Sequence, residues 1–100
     1  MIKSLSKTYK ASSEHLYSEI GSDGVILDIK SGIYYGLNDV GNQIWHWLQA
    51  PKPVSELLNL LLEEYDVTKE QATVDLQSLL QEMLDTGLIE TVNEETIQTT

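Results

Sequence analysis

The side chains best suited to chemistry are two histidines and several carboxylates, and none is spaced for metal binding or acid–base catalysis. His15 and His46 are predicted to lie in different structural elements, and the chain contains no H-E-x-x-H pattern. Glu63-Glu64 and Glu94-Glu95 are adjacent pairs, whose carboxylates a helix or strand would direct apart. The chain also lacks cysteine, a glycine-rich phosphate loop and a serine elbow. The sequence therefore predicts a protein that is not an enzyme and that needs no metal or cofactor.

The net charge of −10 lies almost entirely in the second half of the chain. Residues 1–50 carry four lysines and five acids, whereas residues 51–100 carry two lysines and eleven acids, and there is no arginine. Such a surface repels nucleic acid and anionic membranes. We therefore expect neither as a partner, and a neutral or cationic partner is favoured.

Length and terminal composition predict one small cytoplasmic domain. One hundred residues with 41% hydrophobic content can form one modest core. Residues 1–13 are polar and are predicted to form a flexible arm, and residues 93–100 a flexible tail, which leaves a domain over 14–92. The first residues lack the apolar run of a signal peptide, and no stretch approaches the roughly 18 apolar residues of a spanning helix.

Three short β-strands are predicted in the first third of the chain. His15–Ile20, Val25–Ile29 and Ile33–Leu37 are rich in apolar or β-branched residues and are separated by glycine-containing turns. Tight turns between consecutive strands indicate an antiparallel meander. Alternation assigns to the apolar faces Leu16 and Ile20 in the first strand, Val25, Leu27 and Ile29 in the second, and Ile33, Tyr35 and Leu37 in the third.

Three helices are predicted to follow the meander. Asn38 can cap the first, over Asp39–Gln49, and Pro53 is placed in the first turn of the second. A T-x-x-Q capping box that starts at Thr68 opens the third helix, and Gly87 ends it. The predicted fold class is α+β: a three-stranded antiparallel meander followed by three helices, resembling a winged helix-turn-helix.

Several stretches at consistent spacing carry a family resemblance. They are Leu27–Asn38 (LDIKSGIYYGLN), Val40–Trp45 (VGNQIW), Tyr65-Asp66-Val67, Asp75 and Gly87-Leu88-Ile89. This ordered set resembles the PqqD-like family of recognition elements in pathways that modify ribosomally made peptides. It is most similar to the discrete leader-peptide-binding proteins of lasso-peptide biosynthesis.

The resemblance implies a binding mode and a set of partners. The third strand, Ile33–Leu37, has neither proline nor charge to protect its edge, and Gly36 permits close backbone approach. The family implies that the leader of a precursor peptide is added there as a β-strand, in a groove beside helix three, and presented to a leader peptidase and to a cyclase or other modifying enzyme. The candidate peptide-binding residues are Ile33, Tyr34, Tyr35, Gly36, Leu37, Ala72, Asp75, Leu79, Glu82 and Met83.

Each candidate also has a purely structural interpretation. Tyr35 and Leu37 are better explained as core residues, and Tyr34 points away from them and is the better contact candidate. In helix three, Leu79 and Met83 are explained as partly core, and Asp75 and Glu82 as solvated helix charges. As whole-protein alternatives, the chain could be a PqqD-type carrier for a radical-SAM enzyme, a structural protein–protein module or a winged-helix DNA-binding regulator. The last is opposed by the single lysine against four acids in helix three.

Overall fold

The computed structural model describes residues 7–21 and 23–92. Two small antiparallel sheets and three helices enclose one core, so that the predicted α+β class is confirmed. The elements in chain order are β1 (Thr8–Ala11), β2 (His15–Ile20), β3 (Asp23–Asp28), β4 (Tyr34–Leu37), α1 (Asp39–Trp47), β5 (Lys52–Pro53), α2 (Val54–Glu64), α3 (Lys69–Asp85) and β6 (Ile89–Thr91).

The predicted meander is present as a sheet of strand order β2-β3-β4. Its turns contain Gly21 and Gly32, with φ of +64° and +74°. Asp28 secures the second turn, where its Oδ1 accepts hydrogen bonds from the N–H groups of Lys30 (3.0 Å) and Ser31 (3.4 Å). These turns fix the register in which Leu16, Leu27 and Tyr34 lie side by side across the three strands.

In β2 and β3 the buried face is the opposite of the one predicted, whereas in β4 Leu37 is buried and Tyr35 is half-buried, as predicted. Ile26 is fully buried, and Tyr17 on β2 also packs toward the core. Since side chains alternate, Leu16 and Leu27 must lie on the other face, away from α1. The outer face of these two strands is the more apolar one, and the alternation therefore indicated the wrong face. The side chains of β2 and β3 assigned to the core are in fact on the outer face, where Leu16, Ile20 and Ile29 are exposed and Val25 and Leu27 are half-buried. Ile33 precedes β4 and is 50% exposed, although it was grouped with Tyr35 and Leu37.

A second sheet, β5-β1-β6, corrects the prediction of an N-terminal arm. Strand β1 lies within residues 1–13, and its Thr8 and Tyr9 are buried. It pairs antiparallel with β5 on one side and with β6 on the other. A strand of four residues between two short partners is too brief to give a periodic signal, and only the fold brings its partners to it. The predicted tail over 93–100 lies outside the described residues.

The three helices begin and end close to the predicted positions. Asn38 caps α1 by accepting from the Gly41 N–H at 2.9 Å, and α1 ends at Trp47, two residues before the predicted end. Pro53 is the N-cap of α2 instead of a first-turn residue. Gly87 ends α3 with φ of +80°, in the left-handed region that glycine tolerates.

Only half of the predicted capping box forms at the start of α3. Thr68 Oγ1 accepts from the Gln71 N–H at 3.1 Å, but the Gln71 amide donates to Asp75 at 2.9 Å instead of reaching back to the cap.

The core buries Tyr9, Ile26, Leu37, Ile44, Trp45, Leu48, Val54, Leu57, Leu58, Leu61, Ala72, Leu76, Leu80, Met83, Leu88 and Ile89. Within the described residues, no helix has the length and apolar character needed to cross a membrane.

Candidate functional site

Strand β4 has one unoccupied edge in the described part of the chain, because it pairs with β3 alone. The Asp28 N–H donates to the Ile33 carbonyl at 2.9 Å. Hydrogen-bonded pairs alternate along an antiparallel ladder, so that the bonds to β3 recur at Tyr35. The N–H and C=O groups of Tyr34 and Gly36 therefore point away from β3, toward the unoccupied edge.

A groove of about 340 Å³ runs between this edge and α3. The helix contributes side chains three and four positions apart, which lie on one face of a helix. The half-buried Leu79 forms part of its wall, and Met83 and Leu88 are buried to 2% and 3% exposure and form its floor. The residues that line it are Tyr35, Gly36, Leu37, Asn38, Gly41, Leu79, Glu82, Met83, Thr86 and Leu88.

The edge and the groove together are suited to one kind of ligand. Outward-pointing backbone groups on an edge strand bind an extended peptide, and the adjoining apolar trough receives alternate side chains of that peptide. Glu82 is the one charged residue in the lining, and it is exposed to solvent. The groove therefore suits an apolar side chain with a neutral or basic residue near it.

The family model of PqqD, coenzyme PQQ synthesis protein D, matches residues 23–89. The chain belongs to the PqqD family. Among solved structures, "TbiB1 in Complex with the TbiA(beta) Leader Peptide" is similar, with a TM-score of 0.76 and 28% identity over 84% of this chain and 98% of the other. "Lasso peptide synthetase B1 complexed with the leader peptide" has the same fold, with a TM-score of 0.72 and 24% identity over 82% and 96% of the two chains. No curated protein matches.

In this PqqD-family fold, six of the ten residues predicted from sequence come together in the groove. They belong to β4 and to the second half of α3. The side chains of Ile33 and Tyr34 lie outside it, 50% and 69% exposed. Ala72 is a core residue and Asp75 accepts from Gln71 at the surface, so neither lines the groove. The six that do are Tyr35, Gly36, Leu37, Leu79, Glu82 and Met83.

Four lining residues were missed by the sequence analysis: Asn38, Gly41, Thr86 and Leu88. The first two belong to the start of α1, where Asn38 was recognised only as a cap. Thr86 continues the spacing of Leu79, Glu82 and Met83 by three residues, and that spacing was the available signal. Its hydroxyl donates to the carbonyls of Glu82 (3.0 Å) and Met83 (3.2 Å), which stabilises the helix end beside the groove.

The histidines lie in structural contacts outside the groove. The His46 Nε2 is 3.1 Å from the Tyr17 hydroxyl, and the two rings are edge-to-face at 5.0 Å. His15 packs edge-to-face on Trp45 at 6.0 Å. Across residues 7–21 and 23–92, no three histidine or acidic side chains are grouped so as to hold a metal ion.

Proposed function

We propose that this PqqD-family protein is a non-catalytic adaptor of lasso-peptide biosynthesis. It captures the leader of a ribosomal precursor as an added strand on β4 and presents it to a leader peptidase or a macrocyclase. The observation that carries the proposal is the outward direction of the Tyr34 and Gly36 backbone groups beside the groove under α3. It is supported by the similarity to TbiB1, which was solved with a leader peptide.

The energetics require both the edge and the groove. Two residues with outward N–H and C=O groups offer four hydrogen bonds, each with a net value of about 1 kcal/mol. Micromolar affinity corresponds to a net binding free energy of about 8 kcal/mol, and the contacts must supply this amount in addition to the entropy cost of association. At about 25 cal/mol per Å², the missing 4 kcal/mol needs at least about 160 Å² of apolar burial. The groove has to supply that burial, and strand pairing without it would be weak.

The proposal has consequences for location and partners. Precursor peptides are made on ribosomes, and we place the adaptor in the cytoplasm with them. A PqqD-type carrier that serves a radical-SAM enzyme is the second candidate, which the family description favours. Titration with each candidate precursor leader, and co-purification with each candidate enzyme, would separate the two.

A proline scan of the sheet edges tests strand capture. In Tyr34→Pro the outward N–H is lost without the loss of a bond to β3, and the ring obstructs an incoming strand. Isothermal titration with a precursor leader that the wild-type protein binds should show at least about a tenfold loss, which is 1.4 kcal/mol. Tyr34→Ala controls for the side chain and should bind far better than the proline variant.

A matched control lies on the opposite edge of the same sheet. The ladder that places Tyr34 outward on β4 places the Glu19 N–H outward on β2. Glu19→Pro therefore also removes an outward-pointing N–H, but at the edge away from the groove. This variant should bind the leader with the wild-type affinity. Equal affinity of Tyr34→Pro and wild type, with folding intact by circular dichroism, would refute strand pairing.

A further inference from the structure

A second cavity lies on the other face of the sheet from the groove, over Gly36. It measures about 380 Å³, and its lining includes Ile20, Asp23 and Val25. The register places these three side chains on the outer face, in line with Gly36. A Cβ built on Gly36 would have nothing within 4 Å. The cavity is thus a hollow that exists because Gly36 has no side chain.

The hollow and the groove share the end of β4. Gly36, Leu37 and Asn38 line both, and Leu37 points inward to the core whereas Gly36 faces the hollow. Neighbouring side chains of an added strand point to opposite faces, and a residue beside Gly36 lies on the same face as Gly36 whether the strand runs parallel or antiparallel. A peptide on this edge therefore directs alternate side chains into the two cavities.

We infer that the hollow over Gly36 is a second side-chain subsite, which takes a large apolar side chain from the bound peptide. This inference rests on the proposed function and deepens it. Ile20 is 68% exposed and Val25 is half-buried, so apolar surface is available to be covered. A large side chain on the added strand can lie across Gly36, which has no side chain of its own. It then covers the apolar surface of Ile20 and Val25. The protein thus contacts both faces of its peptide. It selects two apolar residues whose side chains point to opposite faces of the added strand.

The chemistry of the hollow narrows the choice of side chain. Asp23 is the one charged residue in its lining and is exposed at the start of β3. Val25, directly opposite Gly36, is aliphatic. An acidic peptide side chain would meet Asp23 with the same charge, whereas an aliphatic or aromatic one would cover Val25 and Ile20. Apolar residues are therefore selected and acidic residues excluded at this position.

Selection from a display library of random 12-residue peptides supplies the probe. Peptides enriched on the wild-type protein should share two large apolar positions separated by an odd number of residue steps. If none is enriched above a bead-only control, the proposed function fails and the inference fails with it. Enrichment confined to positions an even number of steps apart would leave peptide capture standing and overturn the second subsite.

A double-mutant cycle with the selected peptide assigns the subsite to Gly36. In the wild type, replacement of the outward apolar residue by alanine should weaken binding about tenfold. In Gly36→Val the hollow is filled, and the same replacement should cost less than about threefold. Gly36→Ala, which fills it only in part, should give an intermediate value. An undiminished tenfold loss in folded Gly36→Val would overturn the inference.

The same outer face offers a matched control. Leu16 is apolar and 59% exposed like Ile20, but it lies four residues, or about 13 Å, from Ile20 along β2 and does not line the hollow. Leu16→Ala should retain the full tenfold loss. If the alanine replacement in the peptide cost as little in Leu16→Ala as in Gly36→Val, the effect would belong to the whole outer face and the local subsite would be overturned.

Discussion

The Tyr17 hydroxyl donates a hydrogen bond to Asn42 Oδ1 and thereby joins β2 to α1 across the layer between sheet and helix. Asn42 is 5% exposed. Because β4 leads directly into α1, this contact ties the first strand of the meander to the helix that follows its last strand.

Removal of the Tyr17 hydroxyl should destabilise the protein. Tyr17→Phe deletes the donor to a buried acceptor, and we expect the free energy of unfolding to fall by about 1 kcal/mol. Tyr34→Phe removes the hydroxyl of a tyrosine that is 69% exposed and should leave stability unchanged. Urea denaturation of both variants would check this, and equal stabilities would show that the Tyr17 contact contributes nothing.

Two strand glycines should respond oppositely to the same substitution. A Cβ on Gly24 would lie 2.5 Å from Asn42 Oδ1 and 2.7 Å from Tyr17 Cε1, whereas a Cβ on Gly36 has open space around it. Gly24→Ala should therefore cost about 1–3 kcal/mol, as overpacking does. Gly36→Ala should be neutral or slightly stabilising. Thermal melts of the pair would test this, and equal melting temperatures would contradict it.

Local patterns were sufficient to predict most elements of this fold. Asn38 and Thr68 at helix starts and Gly87 at a helix end act through bonds within a few residues, so the sequence alone revealed them. Strand β1 was missed because its stability comes from β5 and β6, which are more than 40 residues distant in sequence. The family resemblance, not the pattern, directed attention to β4 and α3.

The facing of β2 and β3 could not be predicted from alternation. Their more apolar parity lies on the outer face, because burial depends on which face α1 covers. Of the α3 residues predicted to bind the peptide, Leu79, Glu82 and Met83 line the groove. Ala72 and Asp75 do not, because only the C-terminal part of the long helix lines it. The outward direction of the Tyr34 side chain was predicted correctly, as its exposure shows, and its contact with a peptide stays a prediction.

The turn before β4 should make stability depend on pH. Burial acts to raise the pKa of Asp28, but hydrogen bonds from the N–H groups of Ser31 and Lys30 outweigh it, and the pKa lies below its usual value. The ionised carboxylate thus stabilises the fold above the unfolded-state pKa of about 3.9, and this contribution is lost as the pH falls through the lowered folded-state pKa.

Asp28→Ala should therefore be less stable than wild type at neutral pH, and the difference should shrink in acid. Urea titrations between neutral pH and the acid limit of folding would measure it. Thr68→Ala removes an uncharged cap at α3, and its loss of about 1 kcal/mol should stay constant over the same range. A difference for Asp28→Ala that does not change with pH would contradict the role given to its charge.

The winged-helix alternative requires a basic recognition helix, but α3 is acidic. A recognition helix needs cations to contact phosphate, but α3 has only Lys69 against Glu70, Asp75, Glu82 and Asp85. We expect no retardation of duplex DNA in a gel-shift experiment, even at low salt where phosphate contacts are strongest. A variant with Glu70, Asp75 and Glu82 changed to lysine is the control, since it would show that the assay detects a basic α3. Retardation by the wild-type protein would overturn the assignment of α3 to a peptide groove, because the same helix face cannot serve both ligands.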